Sequence, residues 1–371
     1  MSVRVPAEVF PPGDFLREEL EAREWTQQEL ADILDRPPRL VNEIISGRRA
    51  ITPETARGFA EAFGTSAEFW MNLESRYQLS KIKLPNDNVA RKARMYSKFP
   101  VREMLRRGWV LHSENIELLE RRFCEFFGMK TMDDIPSLSH AAKKTDALSD
   151  VTPLQLAWLF RVKAMAAQQK VPAYSRQKLR AAIDELRPLT SAPEETRHVP
   201  RVLAKAGVRL VFVEPISGSK IDGACFWLDD KKPVVGMTLR FDRIDNFWFV
   251  LRHELEHVLR EDGKDAGGIV DTDVGESNAN LPECEVLANK AGADFCVPAA
   301  QFENFVARVQ PYFSEQKVLL FAQRIGVHPG LVVGQLQRRL GRHELLRKHQ
   351  VKIRGSILPS ADVDGWGTVS E

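Results

Sequence analysis

Apolar residues recur at helical spacing through most of the chain. In residues 13–80 they fall in short, closely spaced helices. Thr26-Gln27-Gln28-Glu29 reads as a capping box, with the Thr hydroxyl accepting from the third helical N–H and Glu29 reaching back. Leu30, Ile33 and Leu34 then form the apolar face. Thr52-Pro53 is a second start, with proline at the first helical position. Gly64-Thr65-Ser66 breaks the chain and restarts it before Ala67–Leu79. From 81 to 190 the spacing stays helical in Arg102–Arg107, Ile116–Phe127, Leu154–Gln168 and Arg176–Leu186. Pro136, Pro153, Pro172 and Pro188 punctuate these segments.

Near residue 190 the pattern changes. Val199–Ala206 reads as a helix closed by Gly207. Val208–Glu214, Ala224–Leu228 and Pro233–Leu239 read as short strands, the last at a sheet edge. Asp245–Arg260 is a strongly amphipathic helix, and Pro282–Cys296 is the next. Further helices are expected at 299–309, 314–325 and 329–340. The tail 354–371 is rich in Gly, Ser and Pro and is expected to be loosely held. The predicted fold is mainly α with a small β-sheet. Its predicted parts are an all-α DNA-binding domain over 1–80, a helical connecting region over 81–190, an α+β domain over 191–353 and a flexible tail.

A length of 371 residues supports such a division, because it exceeds one ordinary core. No run of about 18 apolar residues appears, so no membrane span is expected. The N-terminus lacks an apolar signal region, and Cys124, Cys225, Cys284 and Cys296 show no CxxC spacing. Reduced thiols in a cytoplasmic protein follow as expectations. The net charge of +2 says little about nucleic acid. Residues 1–80 even carry 9 Arg against 14 acidic residues. Distribution says more: Arg36, Arg39, Arg48, Arg49 and Arg57 cluster, and a second cluster over 335–354 holds Arg338, Arg339, Arg342, Arg347, Lys348, Lys352 and Arg354.

Gln27–Ile45 has the shape of a helix-turn-helix. Ala31 sits where two helices must approach closely, Asp35 falls at a turn that needs a left-handed residue, and Val41 packs the second helix on the first. That second helix would lie in the major groove. Pro38, Arg39, Asn42 and Glu43 would face the bases, with the Arg39 fork suited to guanine. Gln27, Arg48, Arg49 and Arg57 would hold phosphates. The wider string resembles the HigA-type antitoxin branch of the XRE repressor family: Leu16-Arg17-Glu18-Glu19-Leu20, Thr26–Ala31, Asn42–Arg49, Ile51–Ala56 and Gly64–Leu73. The resemblance implies a five-helix DNA-binding domain, often dimeric, that represses at an operator. Asp35 and Pro37-Pro38 depart from the usual glycine and polar residues.

His253-Glu254-Leu255-Glu256-His257 carries the second chemistry. Histidines four apart on a helix project from one face and reach one metal ion. Glu254 would take the proton of a water that zinc acidifies. A third ligand must come from elsewhere, and Glu283, Glu285, Glu276, Asp271 and Asp273 are candidates. Phe247–Leu259, Glu285-Val286-Leu287-Ala288-Asn289 and Cys296-Val297-Pro298 resemble the ImmA/IrrE-type metallopeptidases. That resemblance implies a zincin-like (gluzincin-type) fold, Glu285 as third ligand with Glu283 as runner-up, and cleavage of a specific partner such as a repressor. Lys290-Ala291-Gly292 stands where a bulky Phe is usual.

His328, between a loop glycine-valine pair and Pro329, could help at the oxyanion or simply cap a helix. Ala322, Gly326 and Val332 repeat the spacing of Ala31, Asp35 and Val41, which suits a second DNA-contacting unit or, as is more common for such a pair, a hairpin packed on its own domain. Two functions follow. One is a DNA-binding regulator with a zinc endopeptidase domain, whose substrate would add to the strand Pro233–Leu239. The other is a non-enzymatic antitoxin or autorepressor whose second domain senses a signal or binds a toxin. Either is expected to act as a homodimer.

Overall fold

The computed structural model describes residues 9–82, 87–136, 138, 151–264, 269–272 and 281–367. The chain divides at Ala90 and Arg91 into two compact units. The first holds α1 (Pro12–Ala22), α2 (Gln27–Ile33), α3 (Pro38–Ile45), α4 (Pro53–Phe63) and α5 (Ala67–Lys81). The signals in the sequence act as read. Thr26 accepts from the Glu29 amide, and the Glu29 carboxylate returns to the Thr26 N–H at 2.6 Å. Thr52 caps α4 ahead of Pro53, Gly64 is left-handed at φ 69°, and Ser66 caps α5. Leu16, Leu30, Ala31, Val41, Ile44, Phe59 and Trp70 form the core. Gly13 is required where α1 meets the end of α3, because a Cβ there would lie 2.6 Å from the Ile44 carbonyl oxygen.

The helices α6 (Asn88–Lys98), α7 (Val101–Arg106), α8 (Ile116–Phe127), α9 (Pro153–Gln168), α10 (Arg176–Leu186) and α11 (Val199–Lys205) lead to the sheet. Strands β1 (Arg209–Val213), β2 (Ile221–Trp227) and β3 (Pro233–Met237) precede α12 (Ile244–Arg260) and β4 (Ile269–Thr272). Then come α13 (Glu283–Cys296), α14 (Ala299–Val309), α15 (Glu315–Ile325), α16 (Pro329–Leu340), α17 (Arg354–Ile357) and β5 (Asp362–Asp364). The strand order is β4-β2-β3-β1-β5. β1 runs parallel to β3 and β5, and β2 antiparallel to β3 and β4.

Both faces of the sheet are covered, which is why its strands read as nearly continuous apolar runs. Leu210, Phe212, Val235 and Met237 point toward α11, α12 and α16. Val211, Val213, Ala224 and Val234 point toward α8 and α9. Residues 91–136 and 151–166, part of the expected 81–190 connector, are therefore a structural layer of the second unit: Phe123, Phe127, Trp158 and Val162 are fully buried or nearly so.

Two expectations are corrected, and the α15–α16 pair takes the commoner of its two readings. The strand Pro233–Met237 is central, paired with β1 and β2, so a substrate has no free edge there; among the described residues the edges are β4 and β5. Up to residue 367, the tail is built into the fold. β5 pairs with β1, and Asp364 accepts from Trp109 Nε1 at 2.8 Å and pairs with Arg161. The α15–α16 pair packs inward through Val318, Ala322, Leu331 and Val332, and its basic residues are engaged at home. Arg338 lies 3.9 Å over the Phe249 ring, Arg339 pairs with Glu303, and Arg342 with Glu344 at 2.9 Å.

Candidate DNA-reading helix and metal centre

Asp35 adopts φ 51° between α2 and α3, the left-handed turn that the spacing requires. The Arg36 amide donates to the Ala31 carbonyl at 2.9 Å and closes the turn. Ala31 and Val41 are fully buried at the crossing. Of the residues expected to touch DNA, Gln27, Pro38, Arg39, Asn42, Arg48, Arg49 and Arg57 are exposed. Asn42 Nδ2 donates to Gln27 Oε1 at 3.3 Å, so the first turn of α2 and the middle of α3 share one surface. The Glu43 carboxylate accepts from Arg39 at 2.7 Å and from Arg49 at 3.3 Å. The Arg39 hydrogen bond, then Arg49, hold the Glu43 carboxyl below its ordinary range. Glu43 thus holds two arginines of this surface in place.

In the second unit, α12 buries Phe247, Trp248, Val250, Leu251, Leu255 and Val258. The same packing holds His253 and His257 at 1% and 0% exposure. Their Nε2 atoms lie 3.2 Å apart. Glu285 on α13 brings Oε2 to 3.3 Å from His253 Nε2 and Oε1 to 3.4 Å from His257 Nε2. Helix α13 comes this close because Gly292 has no side chain: a Cβ there would lie 2.9 Å from the Phe249 carbonyl oxygen. The absence of the usual bulky residue near 290–292 is thus a packing solution. Glu283, the runner-up, is exposed and outside the cluster. The backbone of Asp271 lies in β4, while Asp273 and Glu276 lie outside the described residues.

The donor set fits zinc. Bonds of about 2.0–2.1 Å in a tetrahedral site place ligand atoms about 3.4 Å from one another. The three observed separations, 3.2, 3.3 and 3.4 Å, match that edge. Two residues that the sequence reading missed complete the centre. Asp262 Oδ2 lies 3.1 Å from His257 Nδ1, the carboxylate–histidine contact that fixes a ligand's tautomer. Asp262 reaches it because Glu261, at φ 61°, ends α12 in the left-handed conformation and turns the chain back. Gly223 on β2 makes room for the Glu254 side chain: a Cβ there would stand 2.1 Å from Glu254 Oε1. Glu254 is fully buried against this strand.

His328 is not brought to the centre. It caps α16, with Nδ1 accepting from the Gly330 amide at 3.0 Å, while its own amide donates to the Thr190 carbonyl. A Cβ on Gly330 would meet both His328 Nδ1 and Ile244 at 3.0 and 2.8 Å. The imidazole therefore stands at the first turn of α12, about 13 Å along the helix from His253. Capping, not transition-state contact, is its role here.

Among the described residues, no helix is long and apolar enough to cross a membrane. The helix-turn-helix family model matches residues 16–70. Virulence-associated protein I of Dichelobacter nodosus is 38% identical over 79 residues, which cover 21% of this chain and 73% of that protein. The uncharacterized HTH-type transcriptional regulator YddM of Escherichia coli K12 is 29% identical over 70 residues, 19% of this chain and 74% of its own. A solved relative, the Pseudomonas aeruginosa antitoxin HigA with the higBA promoter, is 36% identical with a TM-score of 0.19, covering 20% of this chain and 80% of that one. The metal centre lies outside these matched residues. By its N-terminal unit, with the turn at Asp35 and the exposed face of α3, the chain belongs to the helix-turn-helix family of DNA-binding transcription regulators.

Proposed function

We propose that this regulator carries a zinc endopeptidase centre in its second unit and cleaves a specific partner protein, a repressor or an antitoxin. The carrying observation is the set His253, His257 and Glu285, held at tetrahedral spacing next to Glu254. Zinc bound there would acidify a water molecule and polarise a peptide carbonyl. His253 and His257 offer neutral imidazole nitrogens from one helix face, Glu285 supplies the third donor, and Asp262 orients His257. Glu254, next to His253, accepts the proton of the attacking water and returns it to the leaving amine. The first unit would carry this centre to an operator, with Arg39 and Asn42 at base edges and Gln27, Arg48, Arg49 and Arg57 on phosphates. Binding as a homodimer to a two-fold operator belongs to the same reading.

The test uses the zinc-loaded protein with the products of its neighbouring genes. A single specific cut is expected, blocked by a chelator. Glu254→Gln should keep one zinc per chain and lose cleavage by about 100-fold or more. Wild-type-like cleavage by that variant would remove the assigned mechanism. Stable complex formation without any cut would favour the non-enzymatic antitoxin reading instead.

A further inference from the structure

At the opposite end of β2 from Gly223, a cleft of about 470 Å³ opens beside the start of β1. Its walls are Val171–Ala173, Arg209 and the 229–232 turn between β2 and β3. Arg209 is the anomaly. It lies on the same sheet face as Val211 and Val213, opposite Val234 in register, and it is only 5% exposed. An apolar residue would suit that position. Among the described residues, its buried Nε and Nη1 have no hydrogen-bond partner. Asp229 is the nearest acidic influence on it, and that carboxylate is already paired with Lys232 at 2.6 Å. Desolvation is the dominant effect on the guanidinium and works against its charge. A permanently charged group in such a place incurs a large desolvation cost unless an anion meets it. Lys231, exposed at the rim beside Asp230, adds a positive charge whose long stem can reach over the cleft while the Asp230 carboxylate stays in solvent.

We infer that this cleft is a binding site for a small anionic ligand, whose carboxylate or phosphate group pairs with Arg209 while Lys231 closes over its outer side. A planar guanidinium fork matches either oxyanion in bidentate fashion. The volume falls within the range that holds a small metabolite. The inference does not depend on the metal centre.

The test is a thermal melt of the full chain titrated with inorganic phosphate and, separately, with succinate, at ionic strength matched by sodium chloride. Wild type should show a saturable rise of about 5 °C with at least one of them. Arg209→Met should abolish that rise while the ligand-free protein melts at the wild-type temperature or above, since no pairing is lost. Lys231→Glu, on the exposed turn, should weaken the apparent affinity about tenfold without touching the core. A response to phosphate alone or succinate alone assigns the oxyanion. No saturable rise with either ligand, or an equal rise in wild type and both variants, overturns the proposal.

Discussion

Gly223 illustrates how much of the proposed metal centre depends on one missing atom. Any Cβ at this position collides with Glu254 Oε1. Gly223→Ala should push the carboxylate out of line with the three metal donors yet leave those donors untouched. The expected result is unchanged zinc content with cleavage reduced about 100-fold; loss of zinc instead would show that Gly223 supports the ligands. His328 gives a second prediction at this scale. Burial, then the nearby His349, hold its imidazole below the ordinary value of 6.5. The folded state therefore resists a proton that the unfolded chain accepts. The stability of the cap is complete above pH 6.5 and is lost as pH falls toward the lower folded value. His328→Asn keeps an acceptor at the cap and should narrow the difference in melting temperature between pH 7.5 and pH 5.5; an unchanged difference would assign the acid sensitivity elsewhere. Of the centre itself, the paired histidines and Glu254 were legible because they share one helical turn. Glu285 was one of five acidic candidates on spacing alone. Asp262 and Gly223 were illegible, since one depends on a left-handed glutamate and the other on a strand packed across from the helix.

At the level of elements, local signals reported well and pairing partners did not. The capping box at Thr26, the left-handed Asp35 and the restart at Ser66 each act within a few residues, so the first unit could be read from its sequence. The strands β1 to β3 were visible as apolar runs, but their order was not. Nothing local distinguishes a central strand from an edge when both faces are buried, and β3 was expected at an edge that the sheet does not have there. β5 is harder still: three residues, two of them aspartates, pair with a strand about 150 positions earlier. Its place rests on Asp364, which answers both Trp109 and Arg161. Asp364→Ala should remove the buried carboxylate that Trp109 and Arg161 share and cost the second unit about 2 kcal/mol. Chemical denaturation of the full chain reads this as a lower midpoint. A change below about 0.5 kcal/mol would mean that β5 is held by strand pairing and Val363 alone.

Across the whole molecule, the two basic clusters looked alike in sequence and differ in employment. The cluster of the first unit is exposed, and its internal pairs, such as Arg57 with Glu61 at 3.3 Å, are surface contacts that phosphate can replace at little cost. In the second unit Arg338 and Arg339 lie over aromatic rings, and Arg339, Arg342 and Lys348 pair with neighbouring acids on their own surface, while Arg347 and Lys352 are exposed. Because residues 1–80 carry more acidic than basic side chains, attraction to DNA must come from this local patch rather than from net charge. Each phosphate contact contributes about 0.9 to the slope of log affinity against log salt. With duplex DNA from upstream of its own gene, Arg48→Ala should therefore reduce that slope by about 0.9. Arg339→Gln with Arg342→Gln should leave both slope and affinity unchanged. An equal fall in the two variants would put the second cluster on the DNA and reverse the assignment drawn from its ion pairs.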